Sequence, residues 1–153
     1  MHSFENTLRA VCRDVQPKKI VEWGPGKSTA VMREECKDAI IISVEHDPRY
    51  ARLARETGKA DHVFEFAAAQ PKSKYAVWPL ECFDDYQRID LAFVDGRRRV
   101  ECALVAAMIV RSGGAIVLHD AHRWHYAEVL RRWLGAPSEK YAEDSMTSVW
   151  VMK

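Results

Sequence analysis

The chain has 153 residues, of which 48% are hydrophobic and 29% charged, a composition typical of one globular domain. Its 23 basic and 22 acidic residues give a net charge of +1, which argues against bulk attraction to nucleic acid or to a membrane surface. No apolar run reaches the length of a membrane span, and we expect no signal peptide in the amphipathic N-terminus. We therefore expect one cytoplasmic domain over residues 1–153.

The four cysteines add a further constraint. They form no CxxC pair and have no zinc-like spacing with a histidine cluster. We expect free, mostly buried thiols in a reducing compartment. They are Cys12, Cys36, Cys82 and Cys102.

Predicted helices and strands alternate in the first half of the chain. Apolar residues recur at helical spacing over Phe4–Val15, and Pro17 marks the end of this helix. The elements that follow are a strand Lys19–Trp23, a helix capped by Ser28 or Thr29 and running to about Lys37, a strand Ala39–Glu45, a helix from Pro48 to about Thr57 closed by Gly58, and a strand His62–Phe66.

The second half opens with an irregular stretch, Gln70–Arg88, which includes the aromatic residues Tyr75, Trp78, Phe83 and Tyr86. The elements predicted beyond it are a strand Ile89–Val94, a helix Val100–Val110, a turn at Gly113-Gly114, a strand Ala115–Leu118, a helix His122–Leu134, and a closing hairpin of two strands within Lys140–Lys153. This alternation predicts a parallel sheet with helices on both faces. Its ligand site should lie at the carboxyl ends of the strands, where the strand order reverses.

The segment EWGPGKS at residues 22–28 leads a strand through two glycines into a helix. Glycine allows a sharp turn and a close ligand approach, and a helix N-terminus offers free N–H groups. A Walker A loop would need glycine at Val21, and a dinucleotide fingerprint would need one at Thr29. The segment therefore argues against a phosphate loop, and it argues against NAD without excluding it.

Glu45 ends the second predicted strand, 21 residues after Gly24. An acidic residue at this distance can accept hydrogen bonds from both hydroxyls of a ribose. The alternative is a helix cap or a solvated charge. We favour the ribose role, because the run AIIISV that precedes Glu45 is too apolar for a random surface position.

Four motifs in order resemble those of class I S-adenosylmethionine-dependent methyltransferases. They are the E-x-G-x-G-x-S turn at 22–28, SVEHD at 43–47, DLAFVDG at 90–96 and SGGAIVL at 112–118. The resemblance covers nearly the whole chain. It implies a Rossmann-like three-layer α/β/α sandwich, with a mostly parallel seven-stranded sheet and a C-terminal antiparallel hairpin. It also implies an enzyme that uses S-adenosylmethionine and releases S-adenosylhomocysteine.

The resemblance further implies roles for the residues that follow the strands. The cofactor-binding residues would be Glu22, Trp23, Gly24, Gly26 and Ser28 in the first turn, Glu45 at the ribose, His46, Ala67 and Ala68 near the adenine, and Asp95 beside the sulfonium or the substrate.

Asp95, His119 and Asp120 are the candidate catalytic residues. The metal-dependent O-methyltransferases that resemble catechol methyltransferase bind magnesium through an Asp after strand four and an Asp-Asn pair after strand five. Here the pair reads His119-Asp120, and Arg98 stands where that group has a lysine base. Arginine cannot act as a base near neutral pH. A divalent metal is thus possible but not favoured, and we favour a general base or an orienting carboxylate among the three.

Three consecutive arginines follow Asp95-Gly96, and guanidinium groups bind carboxylates and phosphates. We predict that Arg97 and Arg98 bind substrate; the alternative is that one of the three pairs with Asp95 or Glu101. Trp124, after the fifth strand, is predicted to wall the substrate pocket.

The favoured function is methyl transfer to oxygen or nitrogen of a small molecule. The chain has no Asn/Asp-Pro-Pro-Tyr/Phe motif for methylating exocyclic amines of nucleic acid bases, and no suitably placed cysteine for attack on a base. A cofactor-binding module without catalysis and an NAD-linked oxidoreductase are the alternatives. A homo-oligomer whose second subunit completes the pocket is also left open.

Overall fold

A computed structural model of the chain describes residues 3–82 and 88–153. Phe83 and Tyr86 lie outside the described residues. The helices are α1 Phe4–Val15, α2 Lys27–Glu35, α3 Pro48–Thr57, α4 Trp78–Cys82, α5 Arg99–Ile109 and α6 Trp124–Leu134, with a 3₁₀ turn at Glu139–Tyr141. The strands are β1 Lys19–Trp23, β2 Ile40–Glu45, β3 His62–Glu65, β4 Ile89–Val94, β5 Val110–His119 and β6 Thr147–Val151.

The strands form one sheet in the order β3-β2-β1-β4-β5-β6. The first five are parallel, and β6 runs antiparallel to β5. The chain moves outward from β1 to β3 and then returns to the other side of β1, so the strand order reverses between β1 and β4. In sheets of this kind the ligand crevice opens at that reversal.

The core lies on both faces of the sheet, because successive side chains of a strand point to opposite sides. Along β4, Leu91 and Phe93 pack with the buried residues of α1 and α2. Ala92 and Val94 pack with those of α5 and α6. This confirms the predicted three-layer, Rossmann-like sandwich.

The predicted seven-stranded sheet is wrong, since six strands occur in the described residues. No two-stranded hairpin forms within Lys140–Lys153. Instead, Tyr141 is buried and its hydroxyl donates to Asp14 of α1 at 2.6 Å. The Asp144 carboxylate accepts from the Met146 amide at 2.9 Å and from the Thr147 hydroxyl at 2.5 Å. These contacts hold the backbone in turns until β6 begins.

The glycine pair 113–114 lies inside β5, and the predicted turn before the strand is therefore wrong. Gly113 has a φ of +78°, and a Cβ on Gly114 would lie 2.6 Å from the carbonyl oxygen of Asp90. The pairing of β4 with β5 shifts register between Ile89 and Leu91. The glycines thus form a bulge where β5 approaches β4 closely.

Two smaller features complete the fold. The stretch predicted to be irregular contains α4, and the Trp78 ring centroid lies 4.0 Å from that of Phe64 on β3. Of the four free cysteines, Cys82 is exposed and the other three are buried. In the described parts of the chain, no helix combines the length and apolar character needed to cross a bilayer.

Candidate active site

A cleft of about 530 Å³ opens at the carboxyl ends of β1, β2 and β4. The predicted site residues that line it are Gly24, Glu45, His46, Asp95, Arg97 and Arg98. Two larger clefts, of about 640 and 770 Å³, lie at the amino ends of β1 and β2 and beside β6. We place the site in the smaller cleft because it lies at the reversal of strand order and gathers the charged groups.

The turn after β1 is built around Gly24, whose φ is +85°. A Cβ there would lie 2.8 Å from the amide nitrogen of Gly96 and 2.9 Å from the carbonyl carbon of Asp95. The Gly24 amide donates to the Val44 carbonyl at 3.0 Å, and the Asp95 amide donates to the Trp23 carbonyl at 2.9 Å. Backbone contacts therefore join the ends of three strands, with no room for a side chain.

A buried carboxylate, Glu22, supports this turn from beneath. It is fully buried and accepts hydrogen bonds from the hydroxyls of Ser28 at 2.5 Å, Thr29 at 2.8 Å and Ser43 at 2.7 Å. Thr29 also accepts from the Gly26 amide at 3.0 Å, at the start of α2. Ser28 and Thr29 lie inside the first turn of α2, so the prediction that one of them caps the helix is wrong.

The burial of Glu22 raises its pKa to about 7, against the three hydrogen bonds that favour the charged form. Because this value lies above the ordinary 4.5, the protonated carboxyl stabilises the folded state at low pH. That contribution is lost as the pH rises through 7.

Glu22→Gln is neutral at every pH and should remove this dependence. We expect the free energy of unfolding of the wild type to fall between pH 5 and pH 8 by about 2 kcal/mol more than that of Glu22→Gln. Urea unfolding at both pH values measures the difference. Glu128→Gln, at an exposed position of α6, is the control and should behave as the wild type. Parallel pH profiles for Glu22→Gln and wild type would contradict the assignment.

Trp23 contributes its backbone to the turn, while its side chain lies in the core. It is fully buried, and its indole N–H donates to the Tyr75 carbonyl at 2.9 Å. Glu22, Trp23 and Ser28 are therefore placed behind the cleft and do not line it.

Glu45 ends β2 at the wall of the cleft and is 4% exposed. Its Oε1 accepts from the amides of His46 at 2.6 Å and Asp47 at 2.9 Å. The His46 Nδ1 lies 2.7 Å from the same oxygen but has no hydrogen-bond geometry to it. No hydrogen bond reaches Oε2 from residues 3–82 or 88–153, so this oxygen can accept from a ligand.

The two alanines predicted to lie near the adenine follow β3 but do not line the cleft. Ala68 is buried in the core. Ala67 is exposed, and its carbonyl accepts from the Ser73 hydroxyl at 2.5 Å. Tyr50 of α3, which the sequence analysis missed, lines the cleft with His46.

Asp95 and Asp120 are joined by Arg99, whose side chain is 11% exposed. Its Nη2 lies 3.0 Å from Asp95 Oδ1, and its Nη1 lies 3.0 Å from Asp120 Oδ2. Arg98 pairs with Glu101 at 2.6 Å. Two of the three arginines thus pair with Asp95 or Glu101, where the alternative expected one.

The two carboxylates differ in acidity. Burial is the largest influence on Asp95 and raises its pKa, over the opposing charges of His119 and Arg99. Burial also acts to raise the pKa of Asp120. The hydrogen bond and the charge of Arg99 outweigh burial, with a further contribution from the charge of Arg123, so the pKa of Asp120 is lowered. Asp95 is therefore the better proton acceptor of the two.

His119 points away from the cleft. Its ring centroid lies 4.7 Å from that of Phe4 on α1, and its Nδ1 lies 3.5 Å from the Thr147 hydroxyl. Its Nε2 lies 3.7 Å from Asp120 Oδ1. Of the three candidate catalytic residues, Asp95 alone lines the cleft.

Of the residues predicted to bind substrate, Arg97 and Arg98 line the cleft and Trp124 does not. Arg97 is exposed, and its Nε lies 3.5 Å from His46 Nε2. Trp124 is 76% exposed at the start of α6 and does not line the cleft. Tyr126 of the same helix does, and its ring centroid lies 5.6 Å from the guanidinium carbon of Arg99.

The Asp95 and Asp120 pair does not fit a divalent cation, because the guanidinium of Arg99 already binds both carboxylates. Within the described ranges, no three His, Cys, Asp or Glu side chains form a group that could hold a metal.

Comparison with known structures shows the same fold. A methyltransferase-like protein from Silicibacter pomeroyi is 23% identical with a TM-score of 0.69, over 96% of this chain and 83% of that one. The O-methyltransferase TomG from Streptomyces achromogenes, solved in complex with SAM, is 17% identical with a TM-score of 0.67, over 100% and 82%. An O-methyltransferase from Bacillus cereus, solved in complex with SAH, is 17% identical with a TM-score of 0.63, over 87% and 68%.

No curated protein matches the chain. The model of one protein family, described as a methyltransferase domain, matches residues 21–121. This span is about two thirds of the 153 residues and runs from β1 to the end of β5, so it contains the glycine turn, Glu45 and Asp95. The chain therefore belongs to this family of methyltransferase domains.

Proposed function

We propose that this methyltransferase domain transfers the methyl group of S-adenosylmethionine to oxygen or nitrogen of a small-molecule acceptor and releases S-adenosylhomocysteine. The observation that carries the proposal is the position of Glu45 and the Gly24 turn in one cleft at the reversal of strand order. The complexes of the Streptomyces enzyme with SAM and of the Bacillus enzyme with SAH, which share the fold, support it.

The residues of the cleft suit this cofactor. Gly24 lines the cleft with its backbone, and the free Oε2 of Glu45 can accept from ribose hydroxyls. His46 and Tyr50 offer rings next to that carboxylate for an adenine. The predicted cofactor-binding residues that do not line the cleft would contribute indirectly, by fixing the shape of the turn and of the strand ends. They are Glu22, Trp23, Ser28 and the alanines at 67–68.

The protein contributes orientation and a proton acceptor. When bound, S-adenosylmethionine supplies an activated methyl group on a sulfonium, and its transfer breaks the C–S bond with the electron pair remaining on sulfur. We propose that Asp95 takes the proton of the acceptor as the new bond to carbon forms, because its raised pKa favours that role. Asp120 and His119 would position the groups around Asp95.

The acceptor carries an anionic group in this proposal, bound by Arg97 and Arg98. Both line the cleft, and in the described residues Arg97 pairs with no carboxylate. Arg98 uses Nη2 for Glu101 at 2.6 Å, while its buried Nη1 finds no hydrogen-bond partner there. A carboxylate or phosphate would satisfy these donors.

Arg97→Gln should raise the KM for an acceptor bearing a carboxylate by about tenfold or more, since a charge-assisted hydrogen bond contributes about 1.5–3 kcal/mol. We expect kcat to change little, and the KM for the methyl ester of the same acceptor to stay the same. Arg132→Gln, on the exposed face of α6, is the control. An equal rise in KM for acid and ester would contradict an anion-binding role.

Turnover of S-adenosylmethionine labelled in its methyl group tests the function itself. Hydroxylated aromatic acids, aliphatic hydroxy acids and amines serve as acceptors, and S-adenosylhomocysteine is measured as product. We expect product with at least one acceptor class and none without acceptor. Binding without turnover across the panel would favour a cofactor-binding module instead.

We also propose that the enzyme acts in the cytoplasm as one domain over residues 1–153 and on a free small molecule, not on nucleic acid. The net charge of +1 supports the part of this proposal that concerns nucleic acid. A homo-oligomer that completes the cleft is part of the same proposal, since Arg97 lines the cleft and is exposed.

A further inference from the structure

The carboxyl ends of β4 and β5 bring two acidic residues together. Val94 pairs with Leu118 in the sheet, so Asp95 follows β4 beside the end of β5, where His119 is the last residue and Asp120 comes next. Asp120 adopts a φ of +56°, a left-handed conformation that aspartate takes more readily than most residues with a Cβ. Its carboxylate is held by Arg99 and Arg123, each 3.0 Å from its Oδ2.

Arg99 lies between the two carboxylates. Its Nε donates to the Gly96 carbonyl at 2.9 Å. Its Nη1 donates to the His119 carbonyl at 2.8 Å and lies 3.0 Å from Asp120 Oδ2. Its Nη2 donates to the carbonyl of Asp95 at 3.1 Å and lies 3.0 Å from Oδ1 of the same residue. Three backbone carbonyls therefore hold the guanidinium in place while it pairs with both carboxylates.

We infer that Arg99 is a built-in cation that takes the place of a divalent metal between Asp95 and Asp120 and positions Asp95 for the acceptor. The positioning of Asp95 for the acceptor rests on the proposed methyl transfer, whereas the replacement of a metal does not. Arg99 is a positioning residue, because it acts on the acceptor through Asp95.

The charges of the cluster support the inference. Two carboxylates face two guanidinium groups, those of Arg99 and Arg123, so the cluster carries no net negative charge to attract a cation. A metal ion would need carboxylate oxygens at about 2.0–2.6 Å. Asp95 Oδ1 and Asp120 Oδ2 each already lie 3.0 Å from a nitrogen of Arg99. Arginine also stays charged at any working pH. The bridge that Arg99 forms between Asp95 and Asp120 is therefore present at every such pH.

The bridge also determines how Asp95 meets the cleft. Oδ1 is bound by Arg99, while no donor in residues 3–82 or 88–153 bonds to Oδ2. The side chain is 31% exposed and lines the cleft. Fixing one oxygen leaves the other in a defined place for the proton of an acceptor, which is the geometric requirement for general base catalysis.

Binding of Mn²⁺, followed by its electron paramagnetic resonance signal, tests the metal half independently of turnover. We expect no Mn²⁺ bound to the wild type at 100 μM metal, on the order of the affinities of weak protein sites. Arg99→Ser combined with Arg123→Ser should bind about one Mn²⁺ per chain, and the added Asp120→Asn should abolish it. Arg99→Lys combined with Arg123→Ser keeps a positive charge between the carboxylates and should bind none. Binding of Mn²⁺ by the wild type, or its absence in the folded double variant with two serines, would overturn the inference.

Turnover tests the positioning half. Wild-type methyl transfer should be the same in EDTA and in added Mn²⁺, a comparison that needs no variant. Arg99→Ser should lower kcat by about 100-fold, the lower end of a general-base contribution, and added guanidinium ion should restore part of it. Loss of wild-type activity in EDTA with recovery in Mn²⁺ would overturn the inference. Failure of the proposed function would appear separately, as absence of S-adenosylhomocysteine binding by the wild type.

Discussion

Gly24→Ala should lower the free energy of unfolding by about 2–4 kcal/mol, because the new Cβ adds left-handed strain to overpacking. The φ of +85° is unfavourable for alanine, and the nearest atoms are backbone atoms of Gly96 and Asp95 at 2.8 and 2.9 Å. These atoms come directly after β4, where the Asp95 amide bonds to the Trp23 carbonyl of β1, so they cannot move without disturbing the sheet. Urea unfolding followed by circular dichroism measures the change.

Gly26→Ala is the matched control, two residues further along the same turn. Its φ is 178°, and no atom lies within 4 Å of the position a Cβ would take. We expect its free energy of unfolding to stay within about 0.5 kcal/mol of the wild type, the range for surface substitutions. Equal stabilities of the two variants would contradict the backbone packing described for the turn.

Glu45→Ala should weaken binding of S-adenosylhomocysteine by about 100-fold. A carboxylate that accepts from ribose hydroxyls makes charge-assisted hydrogen bonds, each contributing about 1.5–3 kcal/mol. Isothermal titration calorimetry measures the affinity. Because Oε1 also accepts from the amides of His46 and Asp47, the variant should be titrated below its own unfolding temperature.

Glu65→Ala is the control for this prediction. Glu65 is the sheet neighbour of Glu45 on β3, is exposed, and forms a 3.5 Å ion pair with Arg55. It carries the same charge at the same edge of the sheet but does not line the cleft. We expect its affinity for S-adenosylhomocysteine to match the wild type. A similar loss in both variants would indicate a general effect of charge and would contradict the ribose role.

The elements predicted best are those determined by local sequence. The bounds of α1 and β4 agree with the structure, and α3 runs from Pro48 to Thr57 with its cap at Asp47 and its end at Gly58. Periodicity and capping residues lie within a few positions of one another, so the sequence contains the whole signal.

The errors arise where distant contacts decide the structure. A glycine pair is typical of a turn, yet Gly113 and Gly114 form a bulge because β5 lies against Asp90. The expected hairpin is replaced by turns because Tyr141 reaches Asp14, 127 positions away in the sequence. No local pattern predicts either contact.

In the candidate site, too, local sequence predicts some features and distant contacts decide the others. The glycine turn and Glu45 follow strands at recognisable spacing, and both lie at the cleft. Arg99 is one of three consecutive arginines that the sequence alone does not distinguish. Only the ion pair with Asp120 sets it apart. Trp124 and Tyr126 are two residues apart on α6, so they face different sides of the helix. The sequence offers no means of choosing between them.

Titration of the wild-type protein with S-adenosylhomocysteine and, in parallel, with NAD tests the central claim most directly. The cleft at Gly24 and Glu45 predicts one S-adenosylhomocysteine site per chain, saturable at micromolar concentration, on the order of a binding free energy of −8 kcal/mol, and no heat from NAD. Saturable binding of NAD with none of S-adenosylhomocysteine would contradict the methyltransferase function and favour a nicotinamide-linked oxidoreductase on the same fold.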